Sequence, residues 1–529
     1  MASAPDPREA PPPPAVEVSG LTVRAGGRTL LAGASFAVKP GEVVLIVGPS
    51  GSGKSVLLRI LAGLVDERTP GFEIRGNGLV AGEEVVRAGA AARLRGKAGI
   101  VFQEFALFDE LTPRRNLAFA WDHAREKPGP RDEAIARLAR DFAIELDAPV
   151  RSLSAGQRQR IAIARTLAFN PRVVLFDEPT SGLDPLNART VADRIRASAR
   201  DYGKACVVVT HDYPHLLPAA DRVLWLDAGK GTLEEVPAAD LEARALAAGP
   251  AAAPAGAKRA SPAAAALAAL AWASVIPEAA LEAARFALPL YPRVRWGLFY
   301  LLHYLGLVAS PGAFLYVAAS GAIAGFVATY FTFEHFPYRA YAEPLLIEEV
   351  LGSLGFLLYR IVVPALATIL VAARCGAAVA ADTGNRSWSG ASEAMRSLGA
   401  DPRRYLYTGV LWSFLLGVPL MTGAAFLAAH AASLLAFVLQ HPERSPLFWD
   451  LHFHRFLAGP SGGFPYEGTG WLLAKVLTCA ALTAVVAFHR GSSPKASVVS
   501  VNRGITSTMI RATLLVLLAH LLFAFKEFH

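Results

Sequence analysis

The stretch at residues 43–57, VVLIVGPSGSGKSVL, decides the fold of the first half of the chain. An apolar run at 43–47 gives way to a glycine-rich segment and then to helix-forming residues, the pattern of a buried strand, a tight loop and a helix start. Gly48, Gly51 and Gly53 let backbone N–H groups converge on an anion at a helix N-terminus, with Ser50 in the same loop. Lys54 reaches the terminal phosphates, and the Ser55 hydroxyl is placed for Mg²⁺. The complete GxxxxGK[ST] pattern stands in its strand, loop and helix context, which a merely structural glycine loop would not require.

Working outward, apolar runs at 173–176, 205–209 and 223–226 join the one at 43–47, alternating with helical stretches from residue 16 to about 227. That alternation predicts an α/β domain with a parallel sheet. A second anchor is VVLFDEPTSGLD at 173–184, an apolar strand ending in two acids. Asp177 is placed to hold Mg²⁺, and Glu178 is the natural general base for an attacking water. Gln103 lies in VFQE after a short strand, LSAGQRQR covers 153–160, and His211 closes VVVTHD.

The order and spacing of these segments resemble the nucleotide-binding domain of ABC transporters over essentially all of residues 16–230. The resemblance implies ATP as the nucleotide and transport-coupled ATP hydrolysis as the reaction. It gives Gln103 the sensing of the γ-phosphate and of the membrane domain, with a place near Mg²⁺ beside Ser55 and Asp177. It gives His211 support of the hydrolytic transition state. Ser154, Gly156 and Gln157 would bind ATP held by a second copy of the domain, with Asp184 at the same seam, so that a homodimer is needed. An ordinary loop amide at Gln103 and a capping side chain at His211 are the plain alternatives. Ala155 replaces the first glycine of the usual LSGGQ, a change that keeps the turn. Ala25, before Gly26 and Gly27, stands where an aromatic usually stacks on adenine, which weakens base stacking.

At 529 residues the chain is too long for one core. Its 53% hydrophobic content is high for a soluble protein, and the apolar residues accumulate after Trp296. The net charge of +8 comes largely from basic residues bordering the apolar spans. No basic stripe with interleaved aromatics is present, which argues against nucleic acid as a partner. Cys206, Cys375 and Cys479 sit in apolar surroundings without CxxC spacing and read as small buried hydrophobes. Residues 1–15 are Pro- and Ala-rich with no signal-peptide core and read as a disordered cytosolic tail.

The domain plan that follows is a tail at 1–15, an ATPase domain at 16–233, an Ala/Pro-rich tether at 234–276 and a membrane domain at 277–529. The tether includes AAGPAAAPAGAKRASPAAAALAAL at 247–270, too poor in large apolar residues to fold alone. Residues 277–288 form a mildly amphipathic stretch suited to a helix at the bilayer surface. Five apolar segments near 306–330, 352–382, 406–438, 470–488 and 507–525 are long enough to span a bilayer. With the ATPase on the cytosolic side, the Arg-rich loops after the second and fourth spans lie inside. The acid-bearing loops at 331–351 and 439–469 lie outside, as does the C-terminus. The expected class is therefore an α/β P-loop ATPase domain followed by an all-α transmembrane domain with an interfacial helix.

The second span, YRIVVPALATILVAARCGAAVAADTG at 359–384, carries small residues Ala372, Ala373, Gly376, Ala377, Ala378 and Ala380 suited to close helix contact. After it, EAMRSLGADP at 393–402 reads as a short polar cytosolic helix broken by Gly399 and Pro402. From 359 to 419 the sequence resembles the MlaE permease family of Mla/Mce phospholipid transporters, with weaker similarity towards the C-terminus. The resemblance makes Glu393, Arg396, Gly399, Asp401 and Pro402 a coupling helix on which an ATPase acts. It also implies a homodimer that passes lipid between a bacterial inner membrane and an MCE-domain partner outside, with a normally separate ATPase here fused in one chain. Ile361 and Asp382 stand where glutamates are usual in that family, and Gly390 and Ala391 replace a Glu-Gln pair.

Arg360 and Arg374 lie in or near the second span, where a charge snorkels, joins a helix pair or meets a lipid phosphate. Asp450, His452 and His454 alternate in an outer loop and read as solvated side chains, a metal site being the lesser alternative. The leading function is an ATP-driven phospholipid transporter. The runners-up are an exporter of other hydrophobic compounds and a mechanical regulator of an envelope partner without net transport.

Overall fold

The computed structural model describes residues 13–247, 285–286, 288–335, 339–458, 465–495 and 497–528. Most of the expected tail, of the tether after residue 247 and of the surface helix at 277–288 lies outside these. The chain divides into two compact units: residues 1–259 with Ser389–Asp401, and residues 260–388 with Pro402–His529.

The first unit begins with β1 (Val16–Ala25) and β2 (Arg28–Val38), an antiparallel hairpin, followed by β3 (Val43–Val47), α1 (Lys54–Leu61), β4 (Phe72–Val80) and β5 (Glu83–Glu84). Next come α2 (Ala90–Arg93), β6 (Ala98–Val101), α3 (Pro113–His123), α4 (Arg131–Asp141), α5 (Ala155–Ala168) and β7 (Val173–Asp177). The unit continues with α6 (Pro185–Arg200), β8 (Ala205–Thr210), β9 (Arg222–Leu226), β10 (Leu233–Glu235) and α7 (Leu241–Ala247). Two sheets result, one antiparallel in the order β2-β1-β4-β5 and one in the order β10-β9-β3-β8-β7-β6. The second is parallel from β9 to β6, as the alternation of strand and helix requires. Every residue of β3, β7 and β8 is buried, which explains why these strands read as unbroken apolar runs. The expected domain end at 233 is too early, because β10 pairs antiparallel with β9 through Leu233↔Leu226 and α7 follows.

The second unit is all-helical among the described residues. It contains α8 (Val294–Val308), α9 (Pro311–Glu334), α10 (Arg339–Leu357) and α11 (Val363–Trp388). The elbow helix α12 (Ala391–Ser397) belongs to the first unit. The second unit resumes with α13 (Thr408–Gln440), α14 (Pro446–Phe453), α15 (Thr469–Ser492) and α16 (Val498–Glu527). The five expected spans correspond to the five stretches among the described residues that are long and apolar enough to cross a membrane: Val294–Glu334, Leu346–Trp388, Arg403–Gln440, Thr469–Ser492 and Val498–Glu527. The first starts earlier than expected and is broken at Ser310, whose hydroxyl caps α9 by accepting from Ala313 N, with Pro311 at the first helical position. The loops expected at 331–351 and 439–469 also hold structure, the start of α10 in one and α14 in the other.

The helices α9 and α13 meet main chain to main chain. A Cβ on Gly321 would fall 2.2 Å from the Ala425 carbonyl oxygen, and one on Gly325 would fall 2.1 Å from that of Ala429. One turn further along, Thr329 and Ser433 share a hydroxyl hydrogen bond of 2.6 Å. Small residues four apart on both helices thus bring backbone against backbone.

Candidate functional site

The phosphate loop hangs from the end of β3, between β9 and β8. Gly48 has to be glycine, since a Cβ there would sit 2.6 Å from the carbonyl oxygen of Leu226 on β9. Lys54 folds back over the loop and donates to the carbonyl oxygens of Gly48 at 2.7 Å and Pro49 at 3.0 Å. Its Nζ is also 3.9 Å from Glu178 Oε1, with the two side chains 5% and 9% exposed. Burial pulls the Lys54 ammonium below its ordinary pKa, and the carboxylates of Glu178 and Asp177 oppose that shift. Ser50 is exposed at the loop's tip.

Parallel pairing places the acids opposite this loop. Asp177 is the last residue of β7 and accepts a 2.8 Å hydrogen bond from Ser55 Oγ. Burial raises its pKa, and the Ser55 bond partly offsets the rise. The register Asp177↔Val209 then sets Glu178 beside the end of β8. Glu178 Oε2 accepts from Thr210 Oγ1 at 3.0 Å and from His211 N at 3.2 Å, and Oε1 lies 2.9 Å from His211 Nδ1. Glu178 has φ +50°, an uncommon conformation for a residue with a side chain. Three groups therefore fix one carboxylate. The Thr210 hydroxyl among them went unread in the sequence, although it is the residue before His211.

Gln103 lies two residues beyond the end of β6, at the edge that carries Asp177 and Glu178. It is exposed, and among the described residues no hydrogen bond joins it to Ser55 or Asp177. Ser154 caps α5 in a reciprocal box: its Oγ accepts from Gln157 N at 3.3 Å, and its own N donates to Gln157 Oε1 at 2.8 Å. Asp184 caps α6 by accepting from the Leu186 and Asn187 amides at 3.1 Å, and hydrogen bonds led by the Asn187 side chain lower its pKa. Asn187 also packs 3.0 Å from where a Gly156 Cβ would stand, so one side chain joins the two motifs. Within one chain, among the described residues, no hydrogen bond links Ser154, Gly156 or Gln157 to the 48–55 loop. Ala25 ends β1 at the hairpin turn, paired with Arg28.

The elbow folds onto this ATPase unit. Ala391, Ala394, Met395, Leu398 and Ala400 are buried, at the spacing of one helix face continued into the turn. Gly399, at φ +70°, ends the helix beneath Arg95, whose Nε would be 2.6 Å from an added Cβ. Glu393 Oε2 lies 3.4 Å from Arg59 Nη2 on α1, the helix that begins with Lys54. Arg396 and Asp401 are exposed, while Pro402 is buried. Gly390 faces Ala106, 3.5 Å from a built Cβ. Ala106 and Phe105, both at positive φ, offer their carbonyls to Arg165 of α5 at 2.6 Å and 3.3 Å. Burial lowers Arg165 to about 10, and its guanidinium rests on Phe108. A chain of direct contacts thus runs from the elbow through Ala106 and Arg165 into the helix that Ser154 caps.

In the helical unit, a cavity of about 440 Å³ opens between α11, α13 and α15. Its lining is apolar apart from Thr422, Thr469 and the hydroxyls of Tyr359 and Tyr466. Arg360 is paired within the protein rather than presented to a headgroup, one of the fates expected for it. Its Nη2 is 2.7 Å from Glu527 Oε1, and it lies over the rings of Phe356 and Phe528. Lys475 Nζ reaches the same carboxylate at 2.9 Å and the Arg360 carbonyl oxygen at 2.9 Å. That carbonyl needs an outside donor because Pro364, four residues on, has no N–H to offer it. The π-helical turn Leu358–Val362 falls at the same place. Arg374, midway along α11, is exposed, and Ser310 Oγ accepts from it at 3.3 Å. Asp382 accepts from Arg386 Nε at 2.7 Å and from the Tyr304 hydroxyl at 3.0 Å.

A phosphate loop on the central strand facing paired acids on the next strand but one defines a nucleoside triphosphatase, and the described helices that follow include ones long and apolar enough to cross a membrane. The comparisons give the particular family. The ABC transporter family model matches residues 31–181 and the Permease MlaE model matches residues 306–525. The L-cystine transport system ATP-binding protein TcyN of Escherichia coli is 39% identical over 224 residues, 41% of this chain and 88% of its own length. The methionine import ATP-binding protein MetN of Caulobacter vibrioides is 38% identical over 235 residues, 42% of this chain and 69% of its own. Among solved structures, a dimeric post-hydrolysis ATP-binding cassette bound to ADP and Pi matches 42% of this chain and 99% of its own, with 28% identity and a TM-score of 0.36. The chain belongs to the ABC transporter family and carries an ATP-hydrolysing region and an MlaE permease region in one polypeptide, a multi-pass membrane protein.

Proposed function

We propose that the chain is an ATP-driven phospholipid transporter of the bacterial inner membrane, working as a homodimer with its ATPase region cytoplasmic and an MCE-type partner on the outer side. The observation that carries the reading is the apolar cavity within the MlaE region, lined by residues of α11, α13 and α15. A site so poor in polar groups suits acyl chains, whereas a polar solute such as the amino acids named for the import relatives would leave its own groups unpaired. Arg374, exposed partway along a span and without a carboxylate partner among the described residues, is the group suited to a lipid phosphate.

On the ATPase side, Glu178 is the base that orients water, held by Thr210 and His211, and Lys54 moves from the loop carbonyls to the terminal phosphates when ATP enters. Ser55 and Asp177 are two hard oxygen donors already 2.8 Å apart, a pair that fits Mg²⁺. Held by these two residues, the ion would supply positive charge to the phosphates of the nucleotide. Gln103 joins the site only on nucleotide binding. Ser154, Gly156, Gln157 and Asp184 serve the nucleotide of the second copy, their caps offering N–H groups at a helix start. The membership of Ser389–Asp401 in the ATPase unit supports reading Glu393, Arg396, Gly399 and Asp401, with Pro402 next in sequence, as the coupling segment.

The test is mass spectrometry of lipids co-extracted with the purified chain, together with ATPase assays in nanodiscs of defined headgroup. Enriched phospholipid and a headgroup-dependent rate are expected. No enrichment and a lipid-independent rate would overturn the transport reading in favour of a mechanical regulator.

A further inference from the structure

We propose that His430, Asp450 and His454 form a binding site for a divalent transition ion such as Zn²⁺ at the rim of the apolar cavity. The three come together from two elements. His430 lies in the later part of α13 and is half-buried. The short helix α14 is fixed at its start by Ser445, whose hydroxyl accepts from Phe448 N, with Pro446 next to it. That start sets Asp450 and His454 four residues apart on one face.

One ligand atom from each residue lies within 4.8 Å of the others, and Asp450 Oδ1 is 3.4 Å from His454 Nδ1. Ligands about 2.0–2.2 Å from a tetrahedral ion stand roughly 3.3–3.6 Å from one another. The three donors, now within 4.8 Å of one another, reach that spacing by small side-chain rotations. Two imidazoles and one carboxylate suit a borderline ion and are too few oxygens for Ca²⁺ or Mg²⁺.

The surroundings are those of a built site rather than of solvated loop histidines. The His430 and His454 rings stack at 5.1 Å, Trp449 meets His430 edge-on at 4.8 Å, and Tyr466 stacks on His454 at 5.4 Å. Trp449 is fully buried. His454 Nδ1–H donates to the Asp450 carbonyl oxygen at 2.9 Å, which holds the ring and leaves Nε2 as the nitrogen open to an ion. Asp450 is 58% exposed, which leaves an entry path and room for a water ligand. His452 does not belong to the group, because its Nδ1 lies 3.7 Å from Glu348 instead.

The site touches the cavity on both sides. Phe426, one turn before His430, and Tyr466, stacked on His454, both line it. A bound ion would tie α14 to α13 at that rim. The site's chemistry is independent of what the cavity carries.

The experiment is titration of Zn²⁺ into the detergent-solubilised full chain, purified without a polyhistidine tag, against a competing chelator, with Co²⁺ absorption as a second readout of tetrahedral nitrogen and oxygen ligation. One ion per chain is expected. Asp450→Asn, at an exposed position that does not threaten folding, and His454→Gln should each weaken binding at least tenfold. His452→Gln should leave it unchanged. Absence of a stoichiometric ion, retention of it in both Asp450→Asn and His454→Gln, or an equal loss in His452→Gln would each overturn the proposal.

Discussion

Glu527 lies 2.7 Å from Arg360, across 167 positions of sequence, with its side chain 1% exposed. The carboxylate that meets Arg360 comes from α16, the last helix of the chain's described residues. Arg360 and Lys475 thereby keep an acid between them. Glu527→Gln should destabilise the detergent-solubilised protein by about 3–5 kcal/mol, because two buried cations lose their counter-charge. Glu443→Gln, which removes an exposed partner of His441, should change stability by less than about 0.5 kcal/mol. Thermal denaturation of the two variants checks this, and equal melting temperatures would refute the buried-trio account.

Glu178→Gln should bind ATP as the parent does while turnover falls at least about a hundredfold, the scale of a lost general base. The variant should accumulate as a nucleotide-bound dimer, measurable by size-exclusion chromatography with ATP. Unchanged turnover would remove Glu178 from the role of base.

Asp177 offers a pH and stability test with a defined sign. Its folded pKa is raised by burial, so the folded state keeps this proton to higher pH than the unfolded chain does. The residue therefore lowers stability as pH climbs from the ordinary aspartate value, about 3.9, through the folded value. Asp177→Asn removes that cost while still accepting from Ser55. Without nucleotide the variant should melt at the same temperature or higher at neutral pH, yet lose the stabilisation that ATP with Mg²⁺ gives the parent. A lower melting point without nucleotide would contradict the burial argument.

The Arg59–Glu393 contact joins the helix that begins with Lys54 to the elbow, and its partners are 42% and 36% exposed. A pair so exposed contributes less than about 1 kcal/mol to stability. Glu393→Arg should consequently fold normally while the response of ATPase rate to lipid drops several-fold. The exchange Arg59→Glu with Glu393→Arg should recover it. A coupled single variant would show that the contact carries no signal.

The nucleotide machinery was legible because each of its parts is a contiguous run: loop at 48–55, acids at 177–178, cap at 154–157. The antiparallel sheet of β1, β2 and β4 was not read, since its strands mix exposed and buried positions and pair across register shifts. Residues 277–288 offered amphipathic spacing, but the first described long helix starts at Val294, where a nearly uniform apolar composition gives no periodic signal. The partner of Arg360 was not legible for a different reason. A charge in a span announces that it needs a partner without saying which, and Glu527 could be located only by folding α16 against α11. His430 was passed over for the same cause, as a lone polar residue in an apolar helix whose companions come from another element. The close approach of Gly321 and Gly325 to Ala425 and Ala429 was written in four-residue spacing on both segments, but the pairing of the two had to be seen.

That last contact limits how the bundle can change shape. With carbonyls of one helix seated where the other has no side chains, neither can slide or roll without collision, so the two behave as a single rigid plank. Whatever hinge admits a cargo must then lie along the looser seams, where side-chain tips rather than main chains meet.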